Sequence, residues 1–139
     1  MRVSSYSSIY MKSQIHDWSG RTILIAEDVP TNYMLIEAVL SKTKVNLIWA
    51  RNGQEAVDKC LNNENIDLVL MDIQMPVMNG MEATRAILKI RNSLPIIGQT
   101  AFTFNYEEEK IKKAGCSRVL TKPISPEALI SCISDYFAA

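Results

Sequence analysis

The chain has 139 residues, 47% of them hydrophobic, and 15 basic side chains balance 15 acidic ones for a formal net charge of zero. That is enough apolar material for one core and one domain. The neutral balance, with a pI near 6.6, argues against a nucleic acid held by bulk electrostatics, and every apolar run is too short to cross a bilayer. Cys60, Cys116 and Cys132 are scattered without metal-ligand spacing, so reduced thiols in a cytoplasmic protein are the expectation.

Residues 1–20 differ from the rest. They are serine-rich, carry one acid, Asp17, and two basic residues, Arg2 and Lys12, and show no sustained apolar pattern. The segment lacks the apolar core of a secretory signal. It reads as a linker or unstructured start ahead of one domain spanning 21–138. Trp18 is the exception, expected to pack on the domain just before the first strand.

From Arg21 onward strand and helix alternate. The first strand covers Thr22–Ala26 and runs into Glu27-Asp28. Pro30 suits the first turn of a helix, and Leu35, Ile36, Val39 and Leu40 form its inward stripe. Val45–Ala50 is a second strand. Gly53–Asn62 is helical, with Ala56, Val57, Cys60 and Leu61 inward. Leu68–Asp72 is the third strand. After the Pro76–Gly80 turn, Met81, Thr84, Ile87, Leu88 and Ile90 mark a third helix. Pro95–Thr100 is the fourth strand. Tyr106–Ala114 is a charged helix that stops at Gly115. Its acids and lysines, Glu107 to Lys113, suit a solvated face with i,i+4 pairs. Arg118–Thr121 is the fifth strand, and Pro126 opens a last helix with Leu129, Ile130, Ile133 and Phe137 inward.

Five βα units with short connections imply a doubly wound, flavodoxin-like α/β fold with a five-stranded parallel sheet in the order 2-1-3-4-5. That order sets strands one and three side by side and brings Glu27, Asp28 and Asp72 together at their carboxyl ends. Three carboxylates there repel one another, so the cluster asks for a hard divalent cation, Mg²⁺ being the usual one.

The stretch Leu70-Met71-Asp72-Ile73-Gln74-Met75-Pro76-Val77-Met78-Asn79-Gly80 resembles the phosphoacceptor signature of receiver domains of two-component signal transduction. The acidic pair Glu27-Asp28, the hydroxyl of Thr100-Ala101 and the Lys122-Pro123 pair match in order. The likeness covers about Arg21 to Phe137. The wording around Asp72 and the Ala114-Gly115-Cys116 turn most resembles receivers of hybrid sensor histidine kinases.

The resemblance implies that Asp72 accepts a phosphoryl group from a histidine kinase or histidine phosphotransfer protein. Mg²⁺ would be held by Asp28, Asp72 and the Gln74 backbone carbonyl, with Glu27 acting through a water. Lys122 would pair with Asp72, Thr100 would donate to a phosphoryl oxygen, and backbone N–H groups near Ile73 and Ala101 would complete the cradle. The resemblance also implies a cis Lys122–Pro123 peptide. A homodimer or effector contact through the 101–137 face is expected, with no direct nucleic acid and no membrane partner. The protein is then a signalling phosphoacceptor rather than an enzyme, beyond its own self-catalysed phosphorylation and dephosphorylation. No DNA-binding segment follows Ala139, so the chain reads as a stand-alone receiver or as part of a longer protein such as a hybrid kinase.

Each residue alone has a blander reading. Asp28 could cap a helix, Asp72 could be a turn residue, Thr100 a strand-end hydroxyl and Lys122 a solvated lysine. Their joint occurrence at four predicted strand ends outweighs those readings. His16, the single histidine, lies in the leader rather than on the long amphipathic helix of a phosphohistidine. Three positions depart from the receiver pattern: Val119 where an aromatic switch residue is usual, Ser117-Arg118 where an acidic pair is common, and the large apolar Phe102 after the switch hydroxyl. Val119 favours a rival, a receiver fold used as a constitutive binding module. A more remote rival, an aspartate-nucleophile phosphatase, needs a second acid two residues after the nucleophile, where this chain has Gln74.

Overall fold

A computed structural model of the protein describes residues 16–101 and 105–137. Five parallel strands, β1 (Thr22–Ala26), β2 (Asn46–Ala50), β3 (Leu68–Asp72), β4 (Ile96–Thr100) and β5 (Arg118–Thr121), lie in the order β2-β1-β3-β4-β5. Among the described residues five helices connect and cover them, α1 (Pro30–Leu40), α2 (Gly53–Asn62), α3 (Gly80–Leu88), α4 (Asn105–Ala114) and α5 (Pro126–Phe137), with a 3₁₀ turn at Ser41–Thr43. This is the flavodoxin-like order expected from the alternation of strands and helices.

The central strands β3 and β4 are buried at every position, which is why they read as apolar runs rather than as alternating patterns. Alternate residues feed two cores. Leu24, Ala26, Val69, Met71 and Ile96 join α2, α3 and Ile111 of α4 on one face. Ile23, Ile25, Leu68, Leu70 and Ile97 join Tyr33, Ile36 and Leu40 of α1 and Leu129, Ile133 and Phe137 of α5 on the other. Helices α2 and α3 start where side chains cap them. Asn52 accepts the Glu55 N–H at 2.8 Å, and Asn79 and Glu82 form a reciprocal capping box at α3. Gly115, at φ +122°, ends α4 in a backbone conformation that favours glycine.

Three apolar residues expected inward face solvent. Leu35 is 67% exposed because α1 buries Tyr33, Ile36 and Leu40 instead. Leu35 lies one residue from Ile36, about 100° round the helix. Leu61 is exposed at the last turn of α2, whose buried stripe is Gly53, Ala56, Val57 and Cys60. Ile90 is exposed because α3 ends at Leu88 and Ile90 sits in the turn beyond it. β2 and β4 each begin one residue later than expected, and α4 one residue earlier.

Trp18 does pack on the domain. It is buried, its N–H donates to the Thr43 carbonyl at 2.7 Å, and its ring meets Phe137 edge-on at 5.5 Å. His16 lies against it, ring centroids 5.3 Å apart. The remainder of the expected leader, residues 1–15, lies outside the described residues. All three cysteines are buried free thiols, and burial pushes those of Cys60 and Cys116 up to about 11. Among the described residues no helix is long and apolar enough to cross a membrane.

Candidate functional site

Parallel strands put all their carboxyl ends on one edge, and the polar residues expected there gather at it. Ala26 pairs with Met71 across β1 and β3, so the next residues, Glu27 and Asp72, lie side by side. Both are buried, and Asp28 is half-buried. One carboxylate oxygen from each of Glu27, Asp28 and Asp72 lies within 4.8 Å of the others.

Lys122 reaches into this cluster from the end of β5. Its Nζ donates to Asp72 Oδ2 at 3.0 Å and to Glu27 Oε1 at 3.5 Å. Burial alone would lower the ammonium pKa. The hydrogen bond to Asp72 and the charges of Asp72 and Glu27 outweigh it and hold the group above its ordinary value. The Lys122–Pro123 peptide is cis, as the sequence resemblance implies.

Glu27 is held far from its ordinary titration, chiefly by burial. Burial pushes its carboxyl from 4.5 up to about 7. The Val29 N–H, which donates to Oε2 at 3.2 Å, pulls the other way. The charge of Asp72 adds to the rise and Lys122 offsets part of it.

The loop after β3 is tightly held. The Gly80 N–H donates to the Ile73 carbonyl at 2.9 Å, and a Cβ at Gly80 would collide with the Asp72 carbonyl oxygen, so only glycine lets α3 start this close to the carboxylate. At the tip, Val77 has φ +70° and the Met78 N–H donates across it to Pro76 at 2.8 Å. That is a three-residue turn of the strained hand, unusual for a β-branched residue. Val77 is 82% exposed. Below the tip an open cleft of about 500 Å³ is lined by Asp28, Ile73, Gln74, Pro76, Asn79 and Glu107 among others.

The remaining expected residues fall as follows. Thr100 is buried at the end of β4, and its carbonyl accepts the Lys122 N–H at 2.7 Å, which ties the hydroxyl-bearing strand to the lysine-bearing one. Ala101 is exposed just beyond it, while residues 102–104 lie outside the described residues. The Ile73 N–H donates to the Gln99 carbonyl at 3.0 Å within the β3–β4 ladder. The amide that faces the Asp72 carboxylate is that of Gln74, 3.1 Å from Oδ1.

Two residues near the site carry no motif. Gln99 pairs with Asp72 across β3 and β4, so Glu27, Asp72 and Gln99 form one cross-strand row. Gln99 is buried, and among the described residues its Nε2 has no hydrogen-bond partner. The visible signal is a carboxamide inside an apolar strand. Trp49 on β2 donates its indole N–H to the Glu27 carbonyl at 2.8 Å. Nothing local in the sequence links those two positions.

The donor set fits a hard divalent cation. Three carboxylates carry more negative charge than Lys122 neutralises. Their 4.8 Å spread accommodates ligands across an ion with metal–oxygen distances of about 2.1 Å. A carboxylate nucleophile beside an ammonium and a cation site suits attack on a phosphoryl group, whose transferring oxygens need electrostatic stabilisation.

A family model described as the response regulator receiver domain matches residues 23–134. The chain is 37% identical over 120 residues to hybrid signal transduction histidine kinase I of Dictyostelium discoideum, covering 81% of this chain but 7% of that kinase. It is 34% identical over 119 residues to the polar-differentiation response regulator DivK of Brucella anthropi, covering 84% of this chain and 95% of that protein. Among solved structures it is similar to the receiver domain of sensor histidine kinase PA1611 of Pseudomonas aeruginosa, which has magnesium in its active-site cleft, with a TM-score of 0.80 and 30% identity over 87% of this chain and all (100%) of that one. It is also similar to a structure of the Saccharomyces cerevisiae phosphotransfer protein Ypd1 with the receiver domain of Ssk1, with a TM-score of 0.80, 29% identity, and coverage of 86% of this chain and 90% of that one.

Proposed function

The chain belongs to the response regulator receiver domain family, and from that premise we propose that it takes a phosphoryl group from a phosphohistidine onto Asp72. The observation that carries the reading is the Asp72 carboxylate, buried, 3.0 Å from the Lys122 ammonium and clustered with Glu27 and Asp28. A carboxylate oxygen of Asp72 forms the new P–O bond. The P–N bond breaks, and the imidazole leaves with its electron pair. Lys122 steadies the attacking carboxylate and then a phosphoryl oxygen. Thr100 and the amides of Gln74 and Ala101 supply further donors at the mouth, in place of the ladder-bound Ile73 amide.

Asp28, Asp72 and the Gln74 carbonyl would hold Mg²⁺, with Glu27 acting through a water, and the ion would neutralise charge gathering on the phosphoryl oxygens. Donor partners are histidine kinases or phosphotransfer proteins, a reading supported by the Ypd1–Ssk1 likeness. The chain is a signalling module, and the hybrid-kinase likeness supports its being one part of such a kinase.

The test is intact mass after incubation with acetyl phosphate. We expect a gain of one phosphoryl group that requires Mg²⁺ and is absent in Asp72→Asn. Labelling that survives Asp72→Asn, or runs fully in chelator, overturns the reading.

One observation favours the constitutive binding module as a second reading. Val119 is half-buried and packed against the core beneath α4, where receivers usually carry a movable aromatic. Addition of Mg²⁺ and beryllofluoride separates the two. A switch changes amide exchange between Ala101 and Ala114, while a constitutive module changes only at the ligand residues.

A further inference from the structure

We propose that Trp49 is a positioning residue for the acidic turn Glu27-Asp28, setting the direction from which Asp28 addresses the cation. The proposal rests on the reading above that this turn holds Mg²⁺.

The turn is not fixed in the ordinary way. α1 begins after Val29, which makes no side-chain cap hydrogen bond, and Pro30 opens the helix. A neighbouring acid would be a good cap, yet Glu27 accepts only the Val29 N–H, at 3.2 Å, and no first-turn amide of α1 is capped by a side chain. The β1–β2 ladder closes with the Glu27 N–H on the Ala50 carbonyl at 2.9 Å. Beyond Ala50 the chain turns toward α2, and the Arg51 N–H is committed to the Glu55 carboxylate at 3.1 Å. The next group to reach β1 is a side chain, the Trp49 indole, whose N–H donates to the Glu27 carbonyl at 2.8 Å.

The indole is itself clamped. Its ring stacks on Tyr33 of α1, with centroids 4.3 Å apart and planes 11° apart. The Arg51 guanidinium lies 4.4 Å from the ring centroid. The Lys59 ammonium donates to the Trp49 carbonyl at 2.6 Å. One side chain thereby touches the turn at both ends, at Glu27 before it and Tyr33 after it. The peptide joining Glu27 to Asp28 is planar. Holding its carbonyl oxygen orients the plane that carries the Asp28 nitrogen and Cα, and so the departure of the Asp28 side chain. Stacking on Tyr33 keeps the first turns of α1 from rotating that plane away.

A purely structural Trp49 would lower stability and leave the cation site intact. Trp49→Phe separates the two roles, because it keeps an aromatic ring between Tyr33 and Arg51 and deletes the N–H. Mg²⁺ affinity, measured by calorimetry or from the amide shifts of residues 27–29, should weaken by about tenfold, the lower end of what outer-shell partners contribute. The fold, read by far-UV circular dichroism, should be retained. A folded Trp49→Phe with wild-type Mg²⁺ affinity overturns the proposal. Wild type that binds no Mg²⁺, or Asp28→Asn that binds it as well as wild type, overturns the metal reading on which the proposal stands. Should Trp49→Phe unfold, Trp18→Phe leaves Trp49 as the single indole of the two-tryptophan chain. Its emission must then shift on adding Mg²⁺, and an unresponsive indole overturns the proposal.

Discussion

The two flanks of the sheet's carboxyl edge are built differently. On the β1–β3 flank, Glu27 and Asp72 are buried, and Lys122 crosses the edge to bridge them at 3.5 and 3.0 Å. The loops there are held by backbone bonds, a glycine contact and an indole. On the β4–β5 flank, Thr100 ends a buried strand, Ala101 is exposed, and Val119 is half-buried against the core. Farther down, β5 is anchored to α5, with Ser117 Oγ 2.7 Å from the Tyr136 hydroxyl and Arg118 2.8 Å from Asp135. On the proposed function, the first flank serves the chemistry, and the second would have to read its result without a rotating aromatic on β5. Val119 is β-branched and nearly fixed at χ1, so on that reading a phosphorylation response would have to pass from Ala101 toward α4.

The largest effects test that division directly. Asp72→Asn should remove the phosphoryl gain altogether. Thr100→Ala should still gain the phosphoryl mass, though more slowly for want of one donor, and lose the amide-exchange response between Ala101 and Ala114. A Thr100→Ala variant that still transmits the full response would merge the two flanks into one unit.

Next comes Mg²⁺ itself. At one hundred times its dissociation constant it should stabilise the wild type by about 2.7 kcal/mol through mass action, and Asp28→Asn by much less. Relief of repulsion should also make metal-free Asp28→Asn more stable than metal-free wild type, by about 1–2 kcal/mol. Equal stabilisation of both proteins in thermal melts would remove Asp28 from the ligand set.

A pH dependence follows from Glu27. Folding moves its carboxyl from 4.5 to about 7, so between those values the native state holds the extra proton. The stability contributed by the protonated acid is complete below about 4.5 and is lost as pH rises through about 7. Denaturant melts in metal-free buffer should show stability falling across that window, and Glu27→Gln should flatten the fall. Mg²⁺ affinity should weaken as pH drops below about 7, because the protonated acid cannot face a cation. A melt series with no slope in the window would mean that Glu27 is ionised throughout.

The smallest effect belongs to Val77. A β-branched residue at φ +70° carries strain of about 1–3 kcal/mol, and Val77→Asn should recover about 1 kcal/mol of it, since asparagine tolerates the left-handed region better. The exposed tip makes no core contact that the change would lose. A destabilised Val77→Asn would show that the side chain holds the loop in a way its exposure does not reveal.

Much of this was legible in the sequence for a physical reason. Buried parallel strands need uninterrupted apolar runs, and each run here ends in a residue type that is costly to bury unpaired: Glu27, Asp72, Thr100 and Lys122. Their order along the chain and the strand order together place them at one edge. What stayed hidden depends on rotation and register. Leu35 misleads because its helix takes its phase from Tyr33, which answers to Trp49 on a distant strand. The Ile73 amide is spent because the β3–β4 register gives it to Gln99, and a motif carries no register. Trp49 and Glu27 are joined by an indole hydrogen bond across 22 positions, a link that neither propensity nor spacing announces.

A parallel sheet also gives the domain two poles. All strands leave toward the pole that carries Asp72 and enter from the opposite one, a strand length of about 16 Å away at about 3.3 Å per residue. Trp18 is moored at the entry pole, its N–H on Thr43 and its ring against Phe137. Chain arriving through Trp18 therefore joins the domain away from the chemistry. On the proposed function, a donor protein would approach Asp72 at the pole opposite that attachment point.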